Sequence, residues 1–243
     1  MKLSLLVCAL TNRDWGKIVD KLKLQAANYS TVEVLVDLDS GEATSGVKRQ
    51  RLTDQSKGEY IAFVDDDDDV SDDYVEAILE GTHSNADIVT FKLQLTNSVS
   101  PTKVETWKFG LTGDLRQHGL MSANHLCAWR KELATKVAWC PELGHGDDQL
   151  WYKPLQAAGL MKTEFFINKV LYLYQFDARV TQNQSQPKVR AAKQIVGTGL
   201  KCYRLGNELF IQDNLSSRKV RDCSNNILTL PQDAQFYYTV KIS

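Results

Sequence analysis

Five aspartates, Asp65, Asp66, Asp67, Asp68 and Asp69, stand in one unbroken run in a chain of 243 residues. Consecutive like charges repel one another, so the run costs stability in any fold that lacks a counter-ion for it. It follows directly on the apolar stretch Tyr60-Ile61-Ala62-Phe63-Val64. Carboxylates at the end of a buried strand most simply mean a hard divalent cation, Mg2+ or Mn2+, which takes oxygen ligands. Such an ion uses one or two protein carboxylates and fills its shell with water and substrate phosphates, which points to a nucleoside diphosphate or triphosphate. Strand alternation predicts Asp65 and Asp67 on one face and Asp66 on the other, so only some of the five are ligands. The competing reading of the run is a solvated acidic loop.

The elements that position these residues read as α/β. Residues 3–10, 32–38 and 60–64 are short runs rich in Val, Ile and Leu, the pattern of strands buried on both faces of a parallel sheet. Between them, residues 14–27 and 44–56 have apolar residues at helical spacing. Ser71 reads as a helix N-cap, with Asp72 and Asp73 in the first turn and the helix running through 74–79. This alternation predicts a doubly wound sheet whose ligand lies outside the carboxyl ends of the strands, where the Asp run sits. Further strands are expected at 88–95, 104–109 and 171–176, and helices at 130–136 and 147–158, the last closed by Gly159. Beyond Pro187, a helix at 189–196 and a hairpin over 203–212 turning at Gly206-Asn207 are expected.

Composition bounds the rest. With 29 basic against 30 acidic residues and 43% hydrophobic residues, the chain is one compact globular unit and not a disordered tail. It has no overall basic excess of the kind that marks a nucleic-acid binder. Residues 187–221 are locally basic, with eight Lys and Arg against Glu208 and Asp213. Five scattered cysteines without a C-x-x-C pair suit free thiols in a reducing, cytoplasmic setting. The opening Met1–Leu10 run resembles a short signal peptide but lacks a small-residue cleavage site, and it reads as a buried first strand. No apolar run reaches the ~20 residues of a membrane helix.

At the Asp run the sequence resembles a known family. Gly58-Glu59-Tyr60-Ile61-Ala62-Phe63-Val64-Asp65-Asp66-Asp67-Asp68 is similar to the strand and DxD segment of family 2 glycosyltransferases, which have the GT-A fold and use sugar nucleotides. Thr11, Asn12 and Arg13 stand where that family has an Asn-Arg against the nucleotide. Asp37 and Asp39 match its acidic base or ribose contact. Gly46, Lys48 and Arg49 match a basic element of one branch, with Gln50 in place of Asn. Gly146-Asp147-Asp148-Gln149-Leu150-Trp151 resembles the motif that holds the catalytic base, with Asp147 in place of Glu. The resemblance covers roughly residues 1–176.

It implies a GT-A, Rossmann-like domain over 1–186 and a basic extension over 187–243, made of a helix and short strands and packed on it. It implies a metal-dependent, inverting transfer of a sugar from a nucleotide diphosphate, a UDP-sugar foremost, to an acceptor hydroxyl. Asp67, helped by Asp65, would hold the metal and Asp66 would meet the ribose. Lys48 and Arg49 would donate to the diphosphate, or else lie on a solvated helix face. An alcohol needs a base to take its proton; Asp148 matches that base and Asp147 is the runner-up, unless the pair merely caps a helix. His125, His145 and Trp151, with Trp129 and Tyr152, are candidates for the acceptor side, or else core. The histidine that many relatives carry in the "lYhY" position is absent from Leu171-Tyr172-Leu173-Tyr174. The acceptor is a soluble saccharide, a lipid-linked sugar, a protein or a modified DNA base. A nucleotidyltransferase and a non-catalytic nucleotide- or metal-binding protein are the alternatives.

Overall fold

The computed structural model describes residues 1–97, 100–109, 118–141, 147–157 and 159–176, and in the C-terminal part the strand residues 201–205, 208–212, 219–221, 227–229 and 235–239. The first half alternates as its hydrophobic pattern predicts: β1 (Leu3–Leu10), α1 (Trp15–Ala26), β2 (Val32–Asp39), α2 (Ser45–Gln55) and β3 (Tyr60–Asp65). The two-residue β4 (Asp69–Val70), α3 (Tyr74–Thr82), β5 (Ile88–Asn97), β6 (Ser100–Lys108), β7 (Leu120–Ser122) and β8 (Ala128–Arg130) follow. After them come α4 (Lys131–Ala134), α5 (Asp147–Ala157) and the long β9 (Glu164–Phe176).

The central sheet runs β2-β1-β3-β8-β5-β6-β7, with β9 paired to β5 and β4. β1 lies parallel to both β2 and β3. The chain therefore moves one way from β1 to β2 and the other way from β2 to β3. Right-handed crossovers then place α1 and α2 on opposite faces and leave a switch point beside β1. The carboxyl ends of β1 and β3 meet there, with Cys8 level with Asp65. The apolar N-terminal run is this buried first strand: Leu3, Leu5, Leu6 and Val7 are fully enclosed. The far half is mixed, since β3/β8, β5/β6 and β4/β9 are antiparallel and β5/β9 parallel.

Several boundaries differ from the sequence expectation, each for a local reason. The helix expected from Ser71 starts at Tyr74. Val70 is paired with Tyr172, and the Ser71 N–H donates to the Leu171 carbonyl at 2.9 Å, so the chain stays extended past the residue read as the cap. β9 begins at Glu164, seven residues before the expected start, because Asn168 and Lys169 interrupt the apolar run. They fall at a register shift in which Phe91 pairs Ile167 and Lys92 pairs Val170, so the polar pair is bulged out of the ladder. At 130–136 the chain forms the end of β8 and then the short α4.

In the C-terminal part β10 (Lys201–Leu205) and β11 (Glu208–Gln212) pair antiparallel up to Leu205 and Glu208, the expected hairpin. With β12 (Lys219–Arg221), β13 (Ile227–Thr229) and β14 (Gln235–Thr239) they form a second sheet of order β13-β12-β11-β10-β14. The expected helix at 189–196, the Gly206-Asn207 turn and the boundary at 186 lie outside the described residues. Among the described residues no helix is long and apolar enough to cross a membrane.

Gly58 fixes where β3 enters. Its N–H donates to Ser4 Oγ at 2.8 Å, and an added Cβ would stand 2.6 Å from both the Ser4 N and the Tyr60 O. Gly58→Ala should destabilise the chain by roughly 1–3 kcal/mol in urea unfolding, because both contacts are backbone and neither can yield cheaply. Unchanged stability would mean the β1–β3 junction is looser than the structure has it.

Candidate active site

The strand ends at Asp65, and the chain turns there, with the Asp68 N–H donating to the Asp65 carbonyl at 3.3 Å. The alternation expected for Asp65 to Asp67 therefore stops at its first member. Each carboxylate instead meets a different neighbour. Asp66 is buried; its oxygens take the Leu10 N–H at 2.8 Å and the Arg13 guanidinium, tying the end of β1 to the end of β3. Asp68, also buried, accepts from the Tyr172 hydroxyl and the Gln175 N–H, both at 2.8 Å. That same hydroxyl accepts the Asp65 N–H at 3.0 Å. Asp69 pairs with Lys21 of α1 at 3.1 Å.

Asp67 is the exception. Among the described residues its one ion-pair partner is Arg13 at 3.2 Å, which Asp66 already engages. Burial, then the neighbouring Asp65 charge, pushes its carboxyl up to about 6, despite Arg13. Asp68 is driven well above the usual range by the same two causes. Asp65 goes the other way: burial would raise it, but His125 and Arg49 hold it well below.

A second cluster centres on Arg49 of α2. The guanidinium is buried and bridges Asp147 at 2.7 Å and Asp65 at 3.2 Å, with His125 Nε2 3.0 Å from its second nitrogen. Aromatic rings flank it, Trp139 at 5.3 Å and Phe63 at 5.8 Å from the guanidinium carbon. His125 lies between two carboxylates, 3.5 Å from Asp65 through Nε2 and 3.5 Å from Asp148 through Nδ1. At that length Nδ1 has no closed hydrogen bond. Burial and Arg49 lower its pKa, but Asp65 and Asp148 outweigh them and leave it raised. Asp147 and Asp148 open α5 with unlike surroundings. The Asp147 side chain is 3% exposed and locked to Arg49, whereas that of Asp148 is 21% exposed. Burial would raise the Asp148 pKa, but His125 and Arg49 keep it lowered, so the carboxylate is ionised at neutral pH.

These groups border one pocket of about 880 Å3, lined by Arg13, Arg49, Asp65, Asp67, His125 and Asp148 together with the 41–45 loop and the faces of β5 to β7 and β9. The structure thus brings together most of the residues singled out in the sequence, but it changes the work of several. Asp66, expected at a ribose, lines the pocket and also clasps β1 to β3. Lys48 is neither a free diphosphate donor nor on a solvated face: it is buried, with its ammonium 2.6 Å from the Ala9 carbonyl and 2.7 Å from Asp39. Arg49 is likewise buried inside the cluster. Asp39 also accepts the Gly41 and Ala43 N–H groups, shaping the loop before α2, and Asp37 meets Arg51 at 3.6 Å. Thr11 and Asn12 are exposed at the end of β1, where Thr11 donates through its N–H to the Asp39 carbonyl at 2.9 Å.

Trp151, expected at the acceptor, is fully buried and stacks on Trp139 at 4.4 Å, with Trp129 edge-on at 5.0 Å, so it and Trp129 are core. Its Nε1 donates to the Ala134 carbonyl. Tyr152 is buried too. His145 lies outside the described residues. Sequence reasoning missed Tyr172, which joins the backbone of Asp65 to the side chain of Asp68; the only signal was its place in the Leu171–Tyr174 segment.

No family model matches the chain, nor does any curated protein. Solved structures do. Residues 1–349 of S. aureus TarS in complex with UDP-GlcNAc superpose with a TM-score of 0.58 at 15% identity, over 77% of this chain and 63% of that one. The complex of the same TarS segment with UDP gives 0.53 at 16%, over 73% and 61%. A longer TarS structure gives 0.53 at 15%, over 72% and 37%. The chain spans less than two thirds of the length of these structures. The likeness is one of fold, the GT-A, Rossmann-like α/β arrangement.

Two substitutions separate a structural from an open carboxylate. Asp66→Asn should destabilise by roughly 2–4 kcal/mol, since it removes the charge that Arg13 and the Leu10 N–H are built around. Asp67→Asn should stabilise the metal-free chain. The folded Asp67 carboxyl binds its proton more tightly than an ordinary one, so wild type loses stability as the pH rises from 3.8 to about 6. The variant lacks that loss and should be about 3 kcal/mol more stable at pH 7 and equal below pH 4. Urea unfolding at both pH values with EDTA checks this, and a destabilised Asp67→Asn would show that the side chain has a partner it does not have here.

Proposed function

We propose that the chain is a metal-dependent, inverting glycosyltransferase that moves a sugar from a nucleotide diphosphate, a UDP-sugar foremost, to an acceptor hydroxyl. One juxtaposition carries this reading: the under-partnered Asp67 and the ionised Asp148 border one pocket at the switch point of a sheet whose fold matches a UDP-GlcNAc complex. Asp67 and Asp65 fit a hard divalent ion. Asp67 offers oxygens to the pocket with only a shared arginine against them, and no group of three or more ligating side chains exists among the described residues. An ion there would draw the rest of its shell from water and phosphates. Held by those two aspartates, it supplies neutralisation of the charge that builds on a departing diphosphate.

The chain's own groups do the remaining work. Arg13 adds a cation at the same edge of the pocket. Asp148 takes the proton of the acceptor hydroxyl as that oxygen attacks the anomeric carbon. His125, its neighbour, keeps Asp148 ionised until the proton arrives. Arg49 holds Asp147 at the start of α5 and Asp65 at the end of β3, and so sets the distance between base and diphosphate.

Asp148→Asn should lower kcat by roughly 10²- to 10⁴-fold with UDP-GlcNAc or another UDP-sugar while UDP affinity is kept. Turnover in Mn2+ or Mg2+ should stop with EDTA and return when the ion is restored. Full activity of Asp148→Asn, or activity indifferent to EDTA, would refute the base or the metal respectively.

A further inference from the structure

The pocket has a second wall, away from the Asp run and the Arg49 cluster. On one rung of the sheet Leu93 of β5 stands between Glu105 of β6 and Tyr172 of β9. Two residues along β6, Trp107 shares the face of Glu105 and is level with Met121 of β7. Leu93, Glu105, Trp107, Met121 and Tyr174 all line the pocket.

Glu105 is 9% exposed, and among the described residues it has no hydrogen bond and no ion pair. The other acidic side chains buried beside the pocket are matched: Asp66 by Arg13, Asp68 by Tyr172 and Gln175, Asp147 by Arg49. Trp107 Nε1, on the same face, is also buried without a partner. Buried polar groups are normally satisfied, so an orphaned indole N–H beside a carboxylate that opens on the pocket without a partner among the described residues marks a place where a ligand supplies the partners. Among the described residues this wall offers the Glu105 carboxylate as a strong acceptor, the Trp107 indole N–H and the Tyr174 hydroxyl as donors, and apolar or aromatic surface, with no cation. That suits a neutral molecule with hydroxyl donors and C–H faces, a sugar, and not a phosphate.

Position separates the acceptor from the donor. Glu105 is two strands, roughly 10 Å, from Tyr172, whose hydroxyl touches Asp65, so it stands off the diphosphate end of the site. We propose that Glu105 is the hydroxyl-binding carboxylate of an acceptor-saccharide subsite on β6, with Trp107 beside it, a role that rests on the glycosyltransferase reading above.

Saturation-transfer NMR with free cellobiose, maltose and N-acetylglucosamine, with and without UDP, reads saccharide binding to the full chain without turnover. Calorimetry on the same samples reads UDP and UDP-GlcNAc. Glu105→Gln should weaken the saccharide that binds wild type by about tenfold or more, with both nucleotide affinities unchanged. Trp107→Phe, which keeps a ring and removes Nε1, should weaken the same saccharide and carries the test if Glu105→Gln does not fold. Equal saccharide binding by variants and wild type, or none by wild type, overturns the subsite. So does a loss confined to UDP-GlcNAc, which would give Glu105 to the donor sugar. Failure of wild type to bind UDP sinks the donor-site reading by itself, because the saccharide arm without UDP is read independently.

Discussion

Five carboxylates in consecutive positions at the end of a buried strand cannot all be left to repel one another. The structure around β3 is organised to prevent it. A turn after Asp65 sends the side chains in different directions, and each direction meets a different element. Arg13, just after β1, takes Asp66. Tyr172 and the Gln175 N–H of β9 take Asp68, Lys21 of α1 takes Asp69, and Arg49 of α2 with His125 takes Asp65. Neutralising the run therefore draws α1, α2 and β9 onto one strand end, so the charge problem and the assembly of the pocket have the same solution.

The solution is uneven, and its unevenness defines the site. Asp66, Asp68 and Asp69 are occupied by the fold, Asp65 is held by Arg49 and His125 at the edge of the pocket, and Asp67 shares a cation with its neighbour and faces the pocket. A like division separates Asp147, sealed against Arg49, from Asp148, half open beside His125. Arg49 links the two divisions. Enclosed by Trp139 and Phe63, it is a fixed charge whose loss would leave the buried Asp147 and the half-buried Asp65 without the cation they share. Beyond it, β5, β6 and β9 supply a wall of apolar rings holding one unmatched carboxylate, Glu105.

How much of this is legible in the sequence depends on the range of the interaction. Periodicity located β1 to β3, α1 and α2 to within a residue or two, because buried strands and amphipathic helices are written locally. The DxD-like segment and Asp147-Asp148, far apart in the chain, border one pocket in the structure. The partners were not legible, since Arg49 with Asp147 and Tyr172 with Asp68 are 98 and 104 residues apart. For that reason the internal ties that Lys48, Arg49 and Asp66 make at the edge of the pocket were not foreseen, and Trp151 read as a sugar platform when it fills the core. Glu105 gave no signal, because an acidic residue in a strand looks exposed until the strands beside it are known.

The central claim is that the fold consumes three of the five aspartates and leaves Asp67, assisted by Asp65, for a metal and its nucleotide. Calorimetry of UDP binding in Mn2+, over the five single Asp→Asn variants, tests it most directly. The account predicts that Asp67→Asn loses Mn2+-dependent UDP binding outright, that Asp65→Asn weakens it, and that Asp69→Asn, whose partner is on α1, binds as wild type does. Retained binding in Asp67→Asn together with its loss in Asp69→Asn would contradict the division and the site built on it.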